Sequence, residues 1–474
     1  MYQLMWFRSD LRVHDNPALC AAMGNGPTLA LYILTPEQWR EHNDAPCKID
    51  FWLRNLRTLR QALGRLGVPL LIRQVPTWVE IPQLMAELVQ THNIRAVAVN
   101  EEYGVNEARR DQAVGRQLAS QGIGFSSHLD QVLFPPGSIR NRAGGFFQVF
   151  SQFRRVCHQR LHLGPPAPVP PPALQPPPPD ICGDAVPTRV SGFNPPAPSL
   201  TELWPAGEAA AQARLDTFAE QQLARYHQQR DLPAEPGTSR LSPYLTAGVL
   251  SVRQCLNAAL IRNKGVFDGG NEGIVSWIKE LLWREFYKHV LTGFPRVSMG
   301  RAFRVQTEAI AWRQAPDELR AWQEGRTGFP LVDAAMRQLV DTGWMHNRLR
   351  MVVAMFLTKN LLIDWREGER FFMQHLIDGD LAANNGGWQW SASTGTDAVP
   401  WFRIFNPLTQ SRRFDPKGHF IRQWVPELAH LDNRSIHLPP GAGDLFSSVD
   451  YPATMVDLAQ SRERALRAFR SLGT

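Results

Sequence analysis

Disulfide chemistry has little to work with in this sequence. Its 474 residues hold five cysteines, at 20, 47, 157, 182 and 255, with no CxxC pair and no Cys/His cluster. That spacing speaks against a structural zinc or a disulfide framework, and the thiols are expected to be reduced packing residues. Lysine is also scarce: six of the 51 basic residues, the rest being arginine. No apolar run has the length of a membrane span, and the opening MYQLMWFRSD lacks a signal-peptide pattern. A cytoplasmic protein outside the membrane is the expectation. No GxGxxG opens the first helix, so a standard dinucleotide site is not supported.

What is present points elsewhere. The chain is too long for one ordinary core, and its 43% apolar content is that of a globular protein of two or three domains. A net charge of +7 and an isoelectric point near 9.4 suggest an anionic partner. The planar fork of arginine suits phosphate recognition, although codon bias in a GC-rich genome would explain the arginines equally well. Charge alone makes nucleic acid a candidate and nothing more.

The first 130 residues alternate apolar runs (4–7, 29–34, 70–75, 96–100) with helical stretches at 49–66, 80–92 and 104–119. This alternation predicts a doubly wound parallel sheet, an α/β domain over 1–130. Residues 131–205 contain the proline-dense GPPAPVPPPALQPPPPD and read as a surface linker. From 206 to 474 the strand pattern stops, and helical spacing predicts a large all-α domain. Helices are expected at 206–228, 251–262, 274–292, 331–340, 345–361 and 366–376.

Ten of the fifteen tryptophans lie between Trp277 and Trp424. For any single indole a core position is the better reading, but ten among arginines and amides suggest an aromatic ligand site. In SWIKELLWREFYKHV, Glu280, Trp283, Arg284 and Tyr287 share one helical face. Such a face could be a solvated ion pair; Trp and Tyr on it favour a base-binding role. In EPGTSRLSPYL, Ser242 reads as a cap before a helix with Pro243 at its first position, and helix N-termini also bind phosphate. In DGDLAANNGGWQW the Asp, Asn and Gly residues have the composition of a surface turn, yet two indoles follow at once.

These motifs occur in a fixed order: WFRSDLRVHDNPAL, GTSRLSPYL, ELLWREFYKH, TGFPLVDAAMRQL, TGWMHNRLRM, DGDLAANNGGWQWSASTGTDA and FRIFNP. Together they closely resemble the photolyase/cryptochrome family, and within it the bacterial class I cyclobutane pyrimidine dimer photolyases. The resemblance covers nearly the whole chain and is weakest in the proline-rich linker and the last 50 residues. It implies an antenna domain, a linker and a helical domain that binds FAD. The implied activity is light-dependent repair of pyrimidine dimers in UV-damaged DNA by electron transfer from photoexcited reduced FAD.

Matched position by position, the resemblance implies that Tyr226, Thr238, Ser239, Arg240, Leu241 and Ser242 cradle the FAD phosphates and ribityl chain. Trp277 and Arg284 would line the flavin pocket. Asp378 and Asp380 would border the isoalloxazine, with Arg350 partnering Asp378 and Asn384 facing N5. Gly386 and Gly387 would let the backbone pass close to the ring. Glu280 and Asn347 correspond to groups that hydrogen-bond the flipped-out dimer, Trp283 and Trp390 to groups that pack on it, and Met351 to one lying below. Arg230, Arg348, Arg403 and Gln410 match DNA-backbone contacts. Trp388, Trp365 and Trp312 match an electron-transfer chain that photoreduces oxidised flavin.

Subclass is argued from chemistry. Asn384 cannot act as the acid that an aspartate opposite N5 provides in plant cryptochromes. Asn347 and Met351 stand where (6-4) photolyases use two histidines. Dimer repair by a monomer is therefore expected, with a cryptochrome-type blue-light receptor as the alternative. Asn106 and Glu107 match folate-contacting positions, making methenyltetrahydrofolate the first choice of antenna. The lysine that relatives use is absent from Ser298-Met299-Gly300-Arg301, which leaves a deazaflavin or an empty site open.

Overall fold

The N-terminal apolar runs pair as a parallel sheet in the computed structural model, which describes residues 1–439 and 450–472. Its strands are β1 (Tyr2–Phe7), β2 (Thr28–Leu34), β3 (Leu70–Gln74), β4 (Ile94–Asn100) and β5 (Gly124–His128), in the order β3-β2-β1-β4-β5. β2, TLALYIL, is buried at every position, as a strand covered on both faces must be. β5, GFSSH, lies at the sheet edge and is largely exposed. Its polar sequence explains why no apolar run announced it.

The longer intervening helices are α1 (Pro17–Gly24), α2 (Pro46–Arg65), α3 (Ile81–Thr91) and α4 (Val105–Ala119). Asn16 caps α1 by accepting from the Leu19 amide. α2 turns Ile49, Leu53, Leu56, Leu59 and Leu63 inward, every third or fourth residue. After α5 (Phe150–Leu163), residues 164–197 form no helix or strand, as their prolines dictate. The longer helices that follow are α6 (Glu208–Gln221), α7 (Val252–Arg262) and α8 (Glu272–Gly293).

Later helices include α9 (Pro330–Thr342), α10 (Asn347–Met355), α11 (Trp365–His375), α12 (Leu381–Ala392), α13 (Pro407–Phe414) and α14 (Leu458–Arg470). The chain divides into two compact units. One holds Met1–Ala224, Ser239–Pro295 and Ile377–Asp380; the other holds Arg225–Thr238, Arg296–Leu376 and Leu381–Thr474. The second unit has a core of Leu349, Val353, Phe356, Trp365 and Trp388 with the buried face of α9. Among the described residues no helix is long and apolar enough to cross a membrane.

One composition misleads and one expectation is corrected. The NNGG run, turn-like in composition, is helical, within α12. Asn384 and Asn385 donate to the carbonyl and carboxylate of Glu369, at 3.0 and 2.8 Å, so their amides do not compete for their own backbone. Ser242 is not a cap. It is the first residue of a five-residue helix, Ser242–Thr246, whose cap position is the buried Leu241 and which no side chain caps.

Candidate functional site

In the sheet-bearing unit the site residues gather along α8. Trp277 is buried, its ring 5.2 Å from that of Phe218. Glu280, Trp283, Arg284 and Tyr287 are all half-buried along one side. Trp283 is held flat by Phe150, with ring centres 3.7 Å apart and planes 10° from parallel, and Tyr287 flanks it at 5.7 Å. Arg284 donates to the Gln131 carbonyl.

The segment Asp378-Gly379-Asp380 belongs to the same unit and is pinned at each residue. Thr246 donates to the Asp378 carbonyl at 3.3 Å, and Lys48 to that of Gly379 at 2.7 Å. Lys288 pairs with the Asp380 carboxylate at 2.5 Å. Lys48 and Lys288 were absent from the expected site. The available signal was rarity: two of only six lysines are buried here, where a compact ammonium reaches a carbonyl or carboxylate. Arg240 has φ +50°, an uncommon conformation for a side chain of this size, between Ser239 and Leu241. Burial pulls its pKa below the usual arginine range.

The other unit supplies two groups. In the first, His346 caps α10 by accepting from the Arg348 amide at 3.1 Å, which leaves Asn347 exposed at the helix start. Arg348 pairs with Asp231 at 2.9 Å and lies over Phe414; Arg230 lies over Tyr226. Arg350 donates to the Met345 carbonyl, and Met351 is half-buried. Thr238, also of this unit, is half-buried beyond Gly237, which is packed against Gln229. Arg403 and its neighbour Phe402 are exposed just before α13, which carries the half-buried Gln410.

The second group is aromatic. Trp388 on α12 is 2% exposed and packs on Phe372 and Trp322, at 4.9 and 6.0 Å. Its ring covers Gly368 of α11 so closely that a Cβ there would collide with it. Trp365 begins α11 and is fully buried. Trp312 is half-buried against Phe469 of α14. The next residue, Arg313, bonds the Leu361 and Leu362 carbonyls, both at 2.8 Å, so Trp312 is tied to the loop that leads into α11. Trp390 is half-buried on α12.

These positions fit a flavin. Hydroxyls and arginines suit its phosphates and ribityl chain, while carboxylates and an amide suit its ring edge. The Trp388 indole nitrogen is buried with no partner, and a Cβ at Gly387 would meet no atom within 4 Å. Asn384 is flanked by an unforeseen group, Glu369. Burial raises its carboxyl pKa to about 7, with the Asn385 amide acting against that shift. The folded protein therefore holds this proton more tightly than the unfolded chain does. Its contribution to stability is complete below about 4.5 and is lost as pH rises through about 7. Glu369→Gln is expected to flatten the fall in melting temperature across that window; an unchanged pH profile would exclude Glu369 as its source.

At the antenna positions Asn106 lies 3.2 Å from His42, which meets Trp78 edge-on at 4.9 Å. Glu107 follows, its pKa raised by burial and by the nearby Glu102. His42 is a second omission, 64 residues from Asn106 and without a local pattern. At the carboxyl ends of β1 and β4, where open α/β sheets bind ligands, the chain's own side chains bond one another. Arg8 bonds Asp111 at 2.8 Å and also the Asn100 carbonyl, and Arg110 bonds Glu102 at 2.8 Å. Both guanidiniums lie over Trp6. Burial alone would raise the Glu102 pKa, but Arg110 and Arg8 outweigh it and hold it at about 2.

Comparison with known proteins identifies the family. A family model described as DNA photolyase matches residues 3–173, and one described as the FAD binding domain of DNA photolyase matches 277–471. A deoxyribodipyrimidine photo-lyase of Escherichia coli is 45% identical, over 99% of this chain and 98% of its own. One of Vibrio cholerae is 46% identical, over 99% of both chains. The crystal structure of a class III photolyase from Agrobacterium tumefaciens superposes with a TM-score of 0.88 at 34% identity, covering 99% of this chain and 97% of that one.

Proposed function

Because the chain belongs to the DNA photolyase family, we infer that it repairs cyclobutane pyrimidine dimers in DNA under blue or near-ultraviolet light, with FAD as cofactor. The observation that carries the substrate assignment is the side of α8 where Glu280 accompanies an indole locked by Phe150. Trp283 offers a flat apolar surface whose position costs no further ordering on binding. Glu280 offers a carboxylate able to accept a pyrimidine imide N–H. FAD held in its reduced form by these residues would supply, on excitation, the one-electron chemistry that opens the cyclobutane ring without net redox change.

The chain's own residues do the rest. Tyr226, Thr238, Ser239, Arg240, Leu241 and Ser242 hold the phosphate and ribityl portion, and Trp277, Arg284, Arg350, Asp378 and Asp380 hold the flavin. Lys48, Thr246 and Lys288 fix the backbone and carboxylate of the Asp378–Asp380 segment. Asn384, turned by its bond to the Glu369 carbonyl, presents an amide with no acidic proton to give. Asn347 joins Glu280 in hydrogen-bonding the dimer; Met351 and Trp390 pack against it. Arg230, Arg348, Arg403 and Gln410 contact the backbone of the damaged strand. Trp388, Trp365 and Trp312 pass electrons inward from the surface. The antenna is methenyltetrahydrofolate at His42, Asn106 and Glu107, with a deazaflavin or an empty site as the alternatives. The enzyme acts as a cytoplasmic monomer.

The deciding experiment illuminates a thymine-dimer oligonucleotide with reduced, FAD-loaded protein. Intact thymines should reappear only in the light; bound FAD without repair would indicate a receptor instead. Glu280→Ala is expected to weaken dimer affinity by roughly 10–100-fold, the loss of one hydrogen bond to a charged group. Its FAD content should stay at the wild-type level. Unchanged affinity and repair yield would remove Glu280 from the substrate contacts.

A further inference from the structure

Between Asp130 and Asp180 the chain has no carboxylate, yet it carries Arg140, Arg142, Arg154, Arg155 and Arg160. None of these five forms an ion pair with a carboxylate among the described residues, whereas Arg54, Arg253 and Arg262 of the same unit do. α5 buries Phe150, Phe153, Cys157 and Leu161 on one side. Arg155 and Arg160 are exposed on the remainder, with Arg154 half-buried at its flank.

The loop before α5 is built, not loose. Asn141 closes a tight turn by accepting from the Ala143 and Gly145 amides, at 3.0 and 2.9 Å, which leaves Arg142 exposed at the tip. Arg140 lies over Phe146 at 3.9 Å, and Phe146 fills the space above Gly293 at the end of α8. Phe150, the first residue of α5, is the ring stacked on Trp283. The arginine strip therefore begins beside the indole assigned to the lesion and runs away from it. Its 14-residue helix extends about 21 Å, or roughly six nucleotide steps of one DNA strand. Arg155 and Arg160 stand about 7.5 Å apart along the helix, and guanidiniums without an ion pair complement phosphates.

We propose that the Arg142 turn and the exposed side of α5 form a second DNA contact, gripping backbone phosphates that flank the lesion without reading bases. This rests on the dimer-binding role of Trp283. Exposed arginines could otherwise serve solubility alone, and the salt dependence of binding separates the two.

The test compares the FAD-loaded wild type with R142Q/R155Q/R160Q. Each binds a long duplex with one central thymine dimer, the undamaged duplex, and a dimer-containing tetranucleotide too short to run along α5 to Arg155 and Arg160. For both duplexes the slope of log affinity against log salt should shrink by about 0.9 per lost phosphate contact. Tetranucleotide binding, repair per bound complex, FAD content and melting temperature should not change. R142Q and R155Q alone should each lower the slope by about one contact. Equal slopes in wild type and triple variant would overturn the proposal. Equal wild-type affinity for damaged and undamaged duplex would overturn the lesion reading, while the slopes still decide this inference.

Discussion

W312F is expected to lose most of the light-driven reduction of oxidised FAD, yet to repair dimers normally once reduced chemically. Trp365 and Trp388 are 0% and 2% exposed, so neither can exchange an electron with a reductant in solution. Trp312 is half-buried and tied by Arg313 to the loop before α11, and on the relay reading it is the buried pair's outlet. Phenylalanine preserves an apolar ring there but is far harder to oxidise. Because the side chain already meets solvent, the exchange should cost little stability. Flavin absorbance under illumination, with and without prior reduction, checks this. Equal loss of photoreduction and repair would contradict a relay role for Trp312.

The second large effect concerns stability. Arg253 bonds Asp15 at 3.0 Å and Asp130 at 2.8 Å; Arg12 also holds Asp130, and Ser251 also holds Asp15. The four charged side chains are at most 6% exposed. Burial would raise the Asp130 pKa, but Arg12 and Arg253 together keep it below the usual carboxylate range. R253M strands two carboxylates with one guanidinium, and breaking a buried pair in this way costs about 3–5 kcal/mol. The denaturation midpoint should fall accordingly. R253M combined with D15N should recover part of the loss, because one uncompensated charge is gone. No change in the midpoint would show that the network contributes nothing net.

How much of this was legible depends on where each residue finds its partners. The α8 face could be read because Glu280, Trp283, Arg284 and Tyr287 meet through helical spacing alone. β1 to β4 announced themselves as apolar runs, whereas β5 is a polar edge strand held by its neighbour. α12 misled because its asparagines bond Glu369 across a helix–helix contact, and composition cannot reveal that. Ser242 misled because burial of Leu241, not side-chain capping, sets that turn. Lys48, Lys288 and His42 find partners 331, 92 and 64 residues away. The three tryptophans of the relay, 23 and 53 residues apart in sequence, were found only through the family resemblance.

Gly368 has a consequence beyond packing. It is the point where α11 and α12 come together, with the Trp388 ring in the place a side chain would take. Electron tunnelling falls off exponentially with the gap between donor and acceptor. On the relay reading, a residue with no side chain thereby governs a rate constant. A single methyl added there would force the helices or the indole aside and slow the hop between Trp365 and Trp388, although every redox-active atom stayed in the chain.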